Sequence, residues 1–203
     1  MTLGVLGGTF DPIHLGHVAA AEAAQRALSL ASIVLIPSRI PPHRSDPVTA
    51  SGDDRLAMAQ LAAAGRPGWS ASGVELERDG LSYTYDTLVE LGGRLSTQIF
   101  FITGADAFAE IATWSRYPAL LDLANFVVVS RPGITLDSLC ERVPSAFRRE
   151  PSAKTRVILV EANTPDISST DIRRRVRAGH ALSGYVPDAV ADYIRDHRLY
   201  LGQ

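Results

Sequence analysis

Short, almost continuous apolar runs recur along the chain, separated by longer stretches with helical spacing. We assign the apolar runs to strands, because the strands of a parallel sheet are buried on both faces and carry few polar positions. A further segment, 69–77, alternates apolar and polar residues and is predicted as a strand as well. The apolar runs lie at 3–6, 33–37, 98–103, 125–130 and 156–161.

The stretches between these runs favour helices. The first, 14–28, is rich in alanine and lies between two predicted strands, which makes a strand–helix–strand unit with an expected right-handed crossover. Further helices are predicted at 53–64, 88–95, 107–112, about 168–177 and 188–200. These elements predict an α/β fold, a Rossmann-like open parallel sheet with helices on both faces. We expect one domain over 1–203, with a helical C-terminal part from about 168.

Composition and charge narrow the class of protein without indicating its chemistry. The net charge of −2 gives no basic field for nucleic acid. No apolar run is long enough to span a membrane, and the first residues lack the basic start of a secretory signal. The single cysteine, Cys140, cannot form a disulfide within the chain. We therefore expect a cytoplasmic protein without nucleic-acid or membrane partners, and the sequence leaves open whether it forms a homo-oligomer.

The strongest chemical signal follows the first predicted strand, where Gly7 and Gly8 lead into a turn and His14 and His17 begin the first helix. Glycines leave main-chain N–H groups uncovered, and histidines three positions apart share a helix face near the positive end of its dipole. The pattern favours an anion such as a phosphate. Zinc would need further ligands at metal spacing, which are missing, and neither G-x-G-x-x-G nor a Walker A loop is present. Taken singly, the glycines are compatible with a tight turn and each histidine with a helix cap.

Two segments combine loop or cap residues with positive charge. Arg44 follows two prolines that could hold it over a phosphate, although a solvated surface connector has the same composition. Ser168, Ser169 or Thr170 would cap the helix that follows, and with Arg173 this helix start forms a second candidate anion site. Arg55, in the first turn of the helix 53–64, is most simply a solvated residue, with a ligand contact as the alternative.

Other polar and aromatic residues lie near predicted helix starts. Ser82 or Thr84 would cap the helix 88–95. Asp106 follows a strand end, where it could bind a ribose or cap the next helix. Trp114 fits a core position or a surface on which a ring stacks.

In combination these segments resemble one family. Residues 7–17 read Gly-Gly-Thr-Phe-Asp-Pro-x-His-x-Gly-His, which contains the His-x-Gly-His motif of the nucleotidylyltransferase superfamily. The long form resembles the nicotinate-mononucleotide adenylyltransferases of bacterial NAD synthesis. Later segments are similar to further motifs of that family: Pro-Pro-His-Lys, with Arg44 in place of lysine, Ser-Tyr-Thr-x-Asp-Thr at 82–87, Gly-x-Asp at 104–106 and Ile-Ser-Ser-Thr-x-Ile-Arg at 167–173. Together with Gly-Tyr-Val-Pro at 184–187, the resemblance covers nearly the whole chain.

The resemblance implies transfer of AMP from ATP to nicotinate mononucleotide, giving deamido-NAD and pyrophosphate. It implies catalytic roles for His14, His17, Arg44 and Arg173. For ATP binding it implies Gly7, Gly8, Thr9, Phe10, His14, His17, Asp106, Ile167, Ser168, Ser169, Thr170 and Arg173. For nicotinate-mononucleotide binding it implies Gly8, Thr9, Arg44, Thr84, Trp114 and Tyr117. The resemblance implies that the indole ring of Trp114 stacks on the pyridine ring. It also implies that backbone amides near Trp114 bind the carboxylate of that pyridine ring.

For such a reaction we expect direct, in-line displacement. The attacking phosphate is mostly dianionic at neutral pH, because its second pKa is about 6, so that it hardly needs a general base. Our hypothesis is that His17 contacts the α-phosphate in the transition state as a charge-assisted donor and that His14 assists with the triphosphate. Because few carboxylates accompany the motifs, we expect Mg²⁺ to be held mainly by the ATP phosphates and water, without a metal site on the protein.

Three alternatives stay open. The nearest is another member of the superfamily, an adenylyltransferase for nicotinamide mononucleotide or phosphopantetheine. A different class is a non-catalytic nucleotide-binding module, although His14, His17 and Arg173 are intact. A third is a fragment of a tRNA-charging enzyme, for which no anticodon-binding segment or basic surface is evident.

Overall fold

The computed structural model of this chain describes residues 1–42, 48–95, 97–130, 138, 141 and 156–202. A six-stranded sheet has the order β3-β2-β1-β4-β5-β6. Strands β1 and β4, β4 and β5, and β5 and β6 pair in parallel. The strands are β1 (Thr2–Gly8), β2 (Ser32–Pro37), β3 (Trp69–Ala71), β4 (Gln98–Gly104), β5 (Asn125–Ser130) and β6 (Val157–Glu161). The predicted fold class, an α/β fold on a Rossmann-like parallel sheet, is confirmed.

A helix follows each of the strands β1 to β4, and two helices follow β6. They are α1 (Leu15–Leu28), α2 (Gly52–Ala63), α3 (Thr84–Arg94), α4 (Ala105–Ala109), α5 (Ser169–Arg177) and α6 (Asp188–Asp196). Two short 3₁₀ turns, Ile111–Thr113 and Ala119–Asp122, precede β5. None of the helices in the described ranges has the length and apolar character required to cross a bilayer.

The chain divides into two compact units. The first consists of Met1–Gly7, Ala20–Val34 and Tyr83–Asn163. Its core holds the parallel strands β1, β4, β5 and β6, and the ring of Phe126 on β5 packs against Phe101 at 5.7 Å and Phe108 at 6.2 Å. A Cβ at Gly4 in β1 would lie 2.4 Å from Cδ1 of Ile33, so a larger residue there would displace the end of that side chain.

The second unit consists of Gly8–Ala19, Leu35–Ser82 and Thr164–Gln203. Its helices α2 and α6 pack together, with Met58, Val190 and Ile194 buried. The hydroxyl of Tyr193 on α6 donates to Oδ1 of Asp54 on α2 at 3.0 Å. That the two units form one domain over 1–203 stays a prediction.

Two predicted elements differ in extent because of local hydrogen bonds. The strand predicted at 69–77 ends at Ala71, since the carbonyl of Gly73 accepts from the amides of Leu76 and Glu77 and closes a turn. The helix predicted at 188–200 ends at Asp196. Beyond it, Arg198 and Tyr200 adopt left-handed backbone conformations with φ of 53° and 67°, which do not continue a helix.

Two helix caps that the sequence left open as alternatives are not formed. Helix α3 begins at Thr84, four residues before the predicted start, and its N-cap Tyr83 has no side-chain cap bond. The hydroxyl of Ser82 instead accepts from the amide of Arg39 at 2.8 Å. Asp106 lies inside the first turn of α4, whose N-cap is Gly104, so it does not cap that helix.

Candidate functional site

The turn after β1 packs tightly around an aromatic ring. Gly7 and Gly8 are the last two residues of β1. Phe10 is buried with a left-handed backbone, φ 50°, and a Cβ at Gly8 would lie 2.8 Å from its ring. The Gly8 carbonyl accepts from the amide of Ser38 at 2.9 Å, so the end of β2 is tied to this turn. The glycine at position 8 is therefore required by the ring that follows it.

His14 and His17 are brought together as predicted. Their rings stack with centroids 3.6 Å apart, and Phe10 meets His17 edge-on at 5.1 Å. The backbone amide of His14 donates to Nδ1 of His17 at 3.2 Å. When the His17 ring is neutral, this bond places its proton on Nε2, which is then a hydrogen-bond donor. Gly16 leaves room for the pair, because a Cβ there would lie 3.0 Å from Nδ1 of His14.

Both imidazoles are uncharged in the free protein at neutral pH. Burial lowers the pKa of His14 from 6.5 to about 4. Burial also lowers the pKa of His17 well below 6.5, and the neighbouring His14 lowers it further. Nδ1 of His14 is buried without a hydrogen-bond partner among the described residues. In the free protein the pair therefore offers neutral N–H donors.

Asp11 links the turn to two other segments of the second unit. Its carboxylate is fully buried and accepts from the amides of Thr49 at 2.9 Å and Ala50 at 3.0 Å. Nη1 of Arg173 donates to the main-chain oxygen of Asp11 at 2.8 Å and lies 3.7 Å from its carboxylate. The hydroxyl of Ser169 donates to the carbonyl of Pro12 at 2.9 Å. The start of α5 is thereby fixed beside the histidine-bearing turn.

The start of α5 has the cap that the sequence predicts. The hydroxyl of Ser168 accepts from the amide of Asp171 at 3.1 Å and donates to its carboxylate at 2.7 Å. That hydroxyl is the main reason why the pKa of Asp171 is lowered. The arginines of this helix divide between two environments. Arg173 is buried, with Nη2 3.3 Å from the hydroxyl of Thr170, whereas Arg174 is exposed and pairs with Asp171.

The prediction for Arg55 is wrong. Its side chain is buried, and Nη1 donates to the carbonyls of Thr9 at 2.9 Å and Ser38 at 2.5 Å. Its Nε donates to the carbonyl of Ala50 at 3.2 Å. The guanidinium thus binds three main-chain segments: the one after β1, the one after β2 and the one before α2. An arginine in a first helical turn usually faces water, and the sequence does not show that three carbonyls converge on this one.

Three of the residues predicted to bind nicotinate mononucleotide, Thr84, Trp114 and Tyr117, belong to the first unit, whereas Gly8 and Thr9 belong to the second. Asp106, predicted to bind ATP, also belongs to the first unit. Thr84 is the first residue of α3 and is half-buried, and Asp106 is exposed in the first turn of α4. Trp114 is half-buried and meets Phe101 edge-on at 6.0 Å. The amide of Tyr117 donates to the carbonyl of Trp114 at 3.1 Å, so that amide is used within the turn. Their binding roles stay predictions.

Some predictions fall on residues that the structure does not describe. Arg44 lies in 43–47, outside the described ranges. Cys140 also lies outside the described ranges. Within the described ranges, no group of three or more His, Cys, Asp or Glu side chains is arranged to hold a metal ion.

Comparison with known proteins places this chain in a family. Residues 5–175 match the cytidylyltransferase-like family model. A probable nicotinate-nucleotide adenylyltransferase of a Roseiflexus species is 43% identical over 198 residues, which cover 98% of this chain and 97% of the relative. One of Citrifermentans bemidjiense is 42% identical over 213 residues, with 99% of each chain covered.

Solved structures agree on the fold. A Plasmodium falciparum nicotinic acid mononucleotide adenylyltransferase, complexed with NaAD, superposes with a TM-score of 0.77 over 98% of this chain and 97% of its own. At 18% sequence identity this likeness shows a shared fold.

Proposed function

Since the chain belongs to the cytidylyltransferase-like family, and its full-length relatives are named as probable nicotinate-nucleotide adenylyltransferases, we propose that it transfers AMP from ATP to nicotinate mononucleotide. The products are deamido-NAD and pyrophosphate. The observation that carries the proposal is the stacked pair His14 and His17 at the start of α1, in the same unit as the capped, Arg173-bearing start of α5. That unit combines neutral donors, a guanidinium and helix N-termini, which together suit a triphosphate.

The reaction is a single displacement. A 5′-phosphate oxygen of nicotinate mononucleotide attacks the α-phosphorus of ATP, and the bond from that phosphorus to the bridging oxygen breaks. Pyrophosphate leaves with the electron pair, so no side chain needs to become a nucleophile. The site has to align the two phosphates and to relieve the repulsion between them.

We assign His17 to the α-phosphate. Its Nε2 proton is directed by the bond that Nδ1 accepts from His14, and α1 begins at Leu15, so the ring lies at the positive end of the helix. Bound phosphate would favour the protonated ring, because an adjacent negative charge raises a histidine pKa. The donor that is neutral in the free protein can thus become charge-assisted as negative charge accumulates.

We assign His14 and Arg173 to the remaining phosphates of ATP. Arg173 is buried, its two hydrogen bonds go to a main-chain oxygen and a hydroxyl, and the carboxylate of Asp11 lies 3.7 Å from Nη1. Because neither of these hydrogen bonds goes to a charged acceptor, the guanidinium fork can still donate to a phosphate. Magnesium bound to the ATP substrate would supply positive charge that offsets the charge of the leaving pyrophosphate.

For the acceptor nucleotide we propose Gly8, Thr9, Thr84, Trp114 and Tyr117, with Arg44 near a phosphate. We assign Asp106 to the ribose of ATP. In the turn that holds Trp114 and Tyr117, the amides of both residues are used in backbone hydrogen bonds at 3.0 and 3.1 Å. The carboxylate of the pyridine ring would then meet other amides of this turn. We also propose a cytoplasmic location, since the single cysteine suits a reducing compartment.

Product analysis tests the proposal. The protein is incubated with magnesium-ATP and, separately, with nicotinate mononucleotide, nicotinamide mononucleotide or phosphopantetheine, and products are identified by mass spectrometry. We expect deamido-NAD and pyrophosphate in equal amounts. We also expect kcat/KM for the acid to exceed that for the amide at least about tenfold, because a hydrogen bond to a charged group contributes roughly 1.5–3 kcal/mol. Equal or better use of the amide would reassign the acceptor, and the absence of any adenylylated product would leave a binding module.

A further inference from the structure

We propose that Arg116, held against the ring of Tyr85, is a specificity-determining residue whose charge favours an acceptor nucleotide with a carboxylate over one with an amide. The inference deepens the proposed function and rests on it, because Thr84 and Trp114 are assigned there to nicotinate mononucleotide. Arg116 lies two positions after Trp114 and belongs to none of the motifs by which the chain resembles the family.

The guanidinium of Arg116 joins two segments that carry acceptor residues. Its Cζ lies over the ring of Tyr85, 4.9 Å from the ring centroid, which is within the range of a cation–π contact. Tyr85 directly follows Thr84 in the first turn of α3. Arg116 follows Trp114 by two residues, a span of at most about 7 Å along the chain. The contact therefore fixes a cation where the two acceptor segments meet.

The charge of Arg116 is available to an incoming anion. Within the described ranges, Arg116 forms no ion pair, whereas Arg94 and Arg174 pair with acidic residues of their own helices. The residue is exposed, and an aromatic ring holds a guanidinium without supplying a negative charge to offset it. The contact with Tyr85 thus orders the side chain and leaves its charge uncompensated.

The backbone at Arg116 is constrained as well. Its φ is 58°, in the left-handed region that is costly for residues other than glycine and that recurs at ligand-binding sites. The carbonyls of Trp114 and Arg116 accept from the amides of Tyr117 and Leu120, each at 3.1 Å. Among the described residues, the amides of Ser115 and Arg116 find no acceptor. A carboxylate bound by these amides would lie beside the charge of Arg116.

This charge distinguishes the two pyridine nucleotides because they differ by one negative charge. Both carry the same 5′-phosphate, so phosphate contacts cancel in the ratio of their kcat/KM values. An exposed charge acts over about 8 Å at physiological ionic strength and is weakened by added salt. Since the pyridine carboxylate is remote from the reacting phosphorus, the charge should act on KM for the acid rather than on kcat.

The variant Arg116→Gln tests the role, with Arg66→Gln as its matched control. Arg66 also lies over an aromatic ring, that of Trp69 at 5.6 Å, but it belongs to the second unit. For Arg116→Gln we expect the kcat/KM ratio of nicotinate to nicotinamide mononucleotide to fall about three- to fivefold, through a higher KM for the acid. The values of kcat and of KM for ATP should stay within about twofold. Arg66→Gln should leave the ratio unchanged.

Added salt and the aromatic ring separate a charge effect from a structural one. In the wild type the ratio should fall as sodium chloride rises from about 50 to about 500 mM, and in Arg116→Gln it should not respond. Tyr85→Leu should lower the ratio about twofold, because it releases the guanidinium, whereas Tyr85→Phe keeps a ring and should resemble the wild type. Adding Tyr85→Leu to Arg116→Gln should have no further effect on the ratio.

Several outcomes would overturn the proposal. They are an unchanged ratio in Arg116→Gln or Tyr85→Leu, an equal fall in Arg66→Gln, and a response to salt that persists in Arg116→Gln. A parallel rise of KM for both pyridine nucleotides, or loss of cooperative unfolding in Arg116→Gln, would assign Arg116 to the fold instead. Failure of the proposed function is distinguishable, because the wild-type protein would then form no deamido-NAD or would use the amide equally well.

Discussion

Replacement of His17 by alanine lowers turnover by about 10²–10³-fold, by analogy with the loss of one preorganised donor to a transition-state oxygen. The ring is held by its stack on His14 and by the bond from the amide of His14. Its Nε2 proton is therefore already directed before the substrates bind. Steady-state formation of pyrophosphate at saturating ATP and nicotinate mononucleotide measures the effect, and the KM values should change far less than kcat.

His180→Ala is the matched control for this variant, because His180 is an exposed histidine beyond the end of α5. Its turnover should equal that of the wild type. Near-normal turnover in His17→Ala would remove His17 from the chemistry. A parallel loss of kcat and of the cooperative unfolding transition would assign His17 to the fold instead.

The free energy of unfolding falls by about 2 kcal/mol between pH 6.5 and pH 5 on account of His14 alone, at 1.36 kcal/mol for each pH unit. The pKa of His14 is 6.5 in the unfolded chain and about 4 in the folded protein. Well above pH 6.5 the ring is neutral in both states, so pH has no effect through it. As the pH falls, the unfolded chain binds the proton while the folded protein does not, so stability is lost down to about pH 4.

Urea unfolding of the wild type and of His14→Gln at pH 7 and pH 5 isolates this contribution. The glutamine variant keeps a polar side chain but does not titrate, so its loss of stability on acidification should be smaller by about 2 kcal/mol. Identical losses in the two proteins would show that His14 is accessible to protons in the folded state. The comparison uses the difference between pH values, so any constant destabilisation by the substitution cancels.

The sequence predicts those parts of the molecule whose cause is local. The apolar run before Gly7 forms β1, and Ser168 caps α5 with its own hydroxyl. The pairing of His14 and His17 also follows from sequence spacing, since both lie at one helix start. In each case the residues that determine the structure are at most a few positions apart, and propensity and periodicity are informative over that range.

The rest depends on contacts between distant segments. Arg55 bonds to the carbonyls of Thr9 and Ser38, 46 and 17 positions away, and nothing in its own helix indicates this. Tyr200 meets the charge of Asp11 from the other end of the chain. The uncharged state of the imidazoles likewise follows from burial, which spacing does not measure. Sequence therefore predicts which residues form the site better than it predicts their surroundings.

Timing the release of pyrophosphate tests the central claim of direct displacement. In that claim, one nucleotide displaces pyrophosphate from the other without a covalent protein intermediate. The protein, at a concentration comparable to that of ATP, is mixed with magnesium-ATP in a quenched-flow instrument, and nicotinate mononucleotide is added afterwards. We predict no pyrophosphate before the second addition, then one pyrophosphate for each deamido-NAD, with the mass of the protein unchanged throughout. A burst of pyrophosphate equal to the amount of protein before that addition, together with an adenylylated protein in the mass spectrum, would contradict the account.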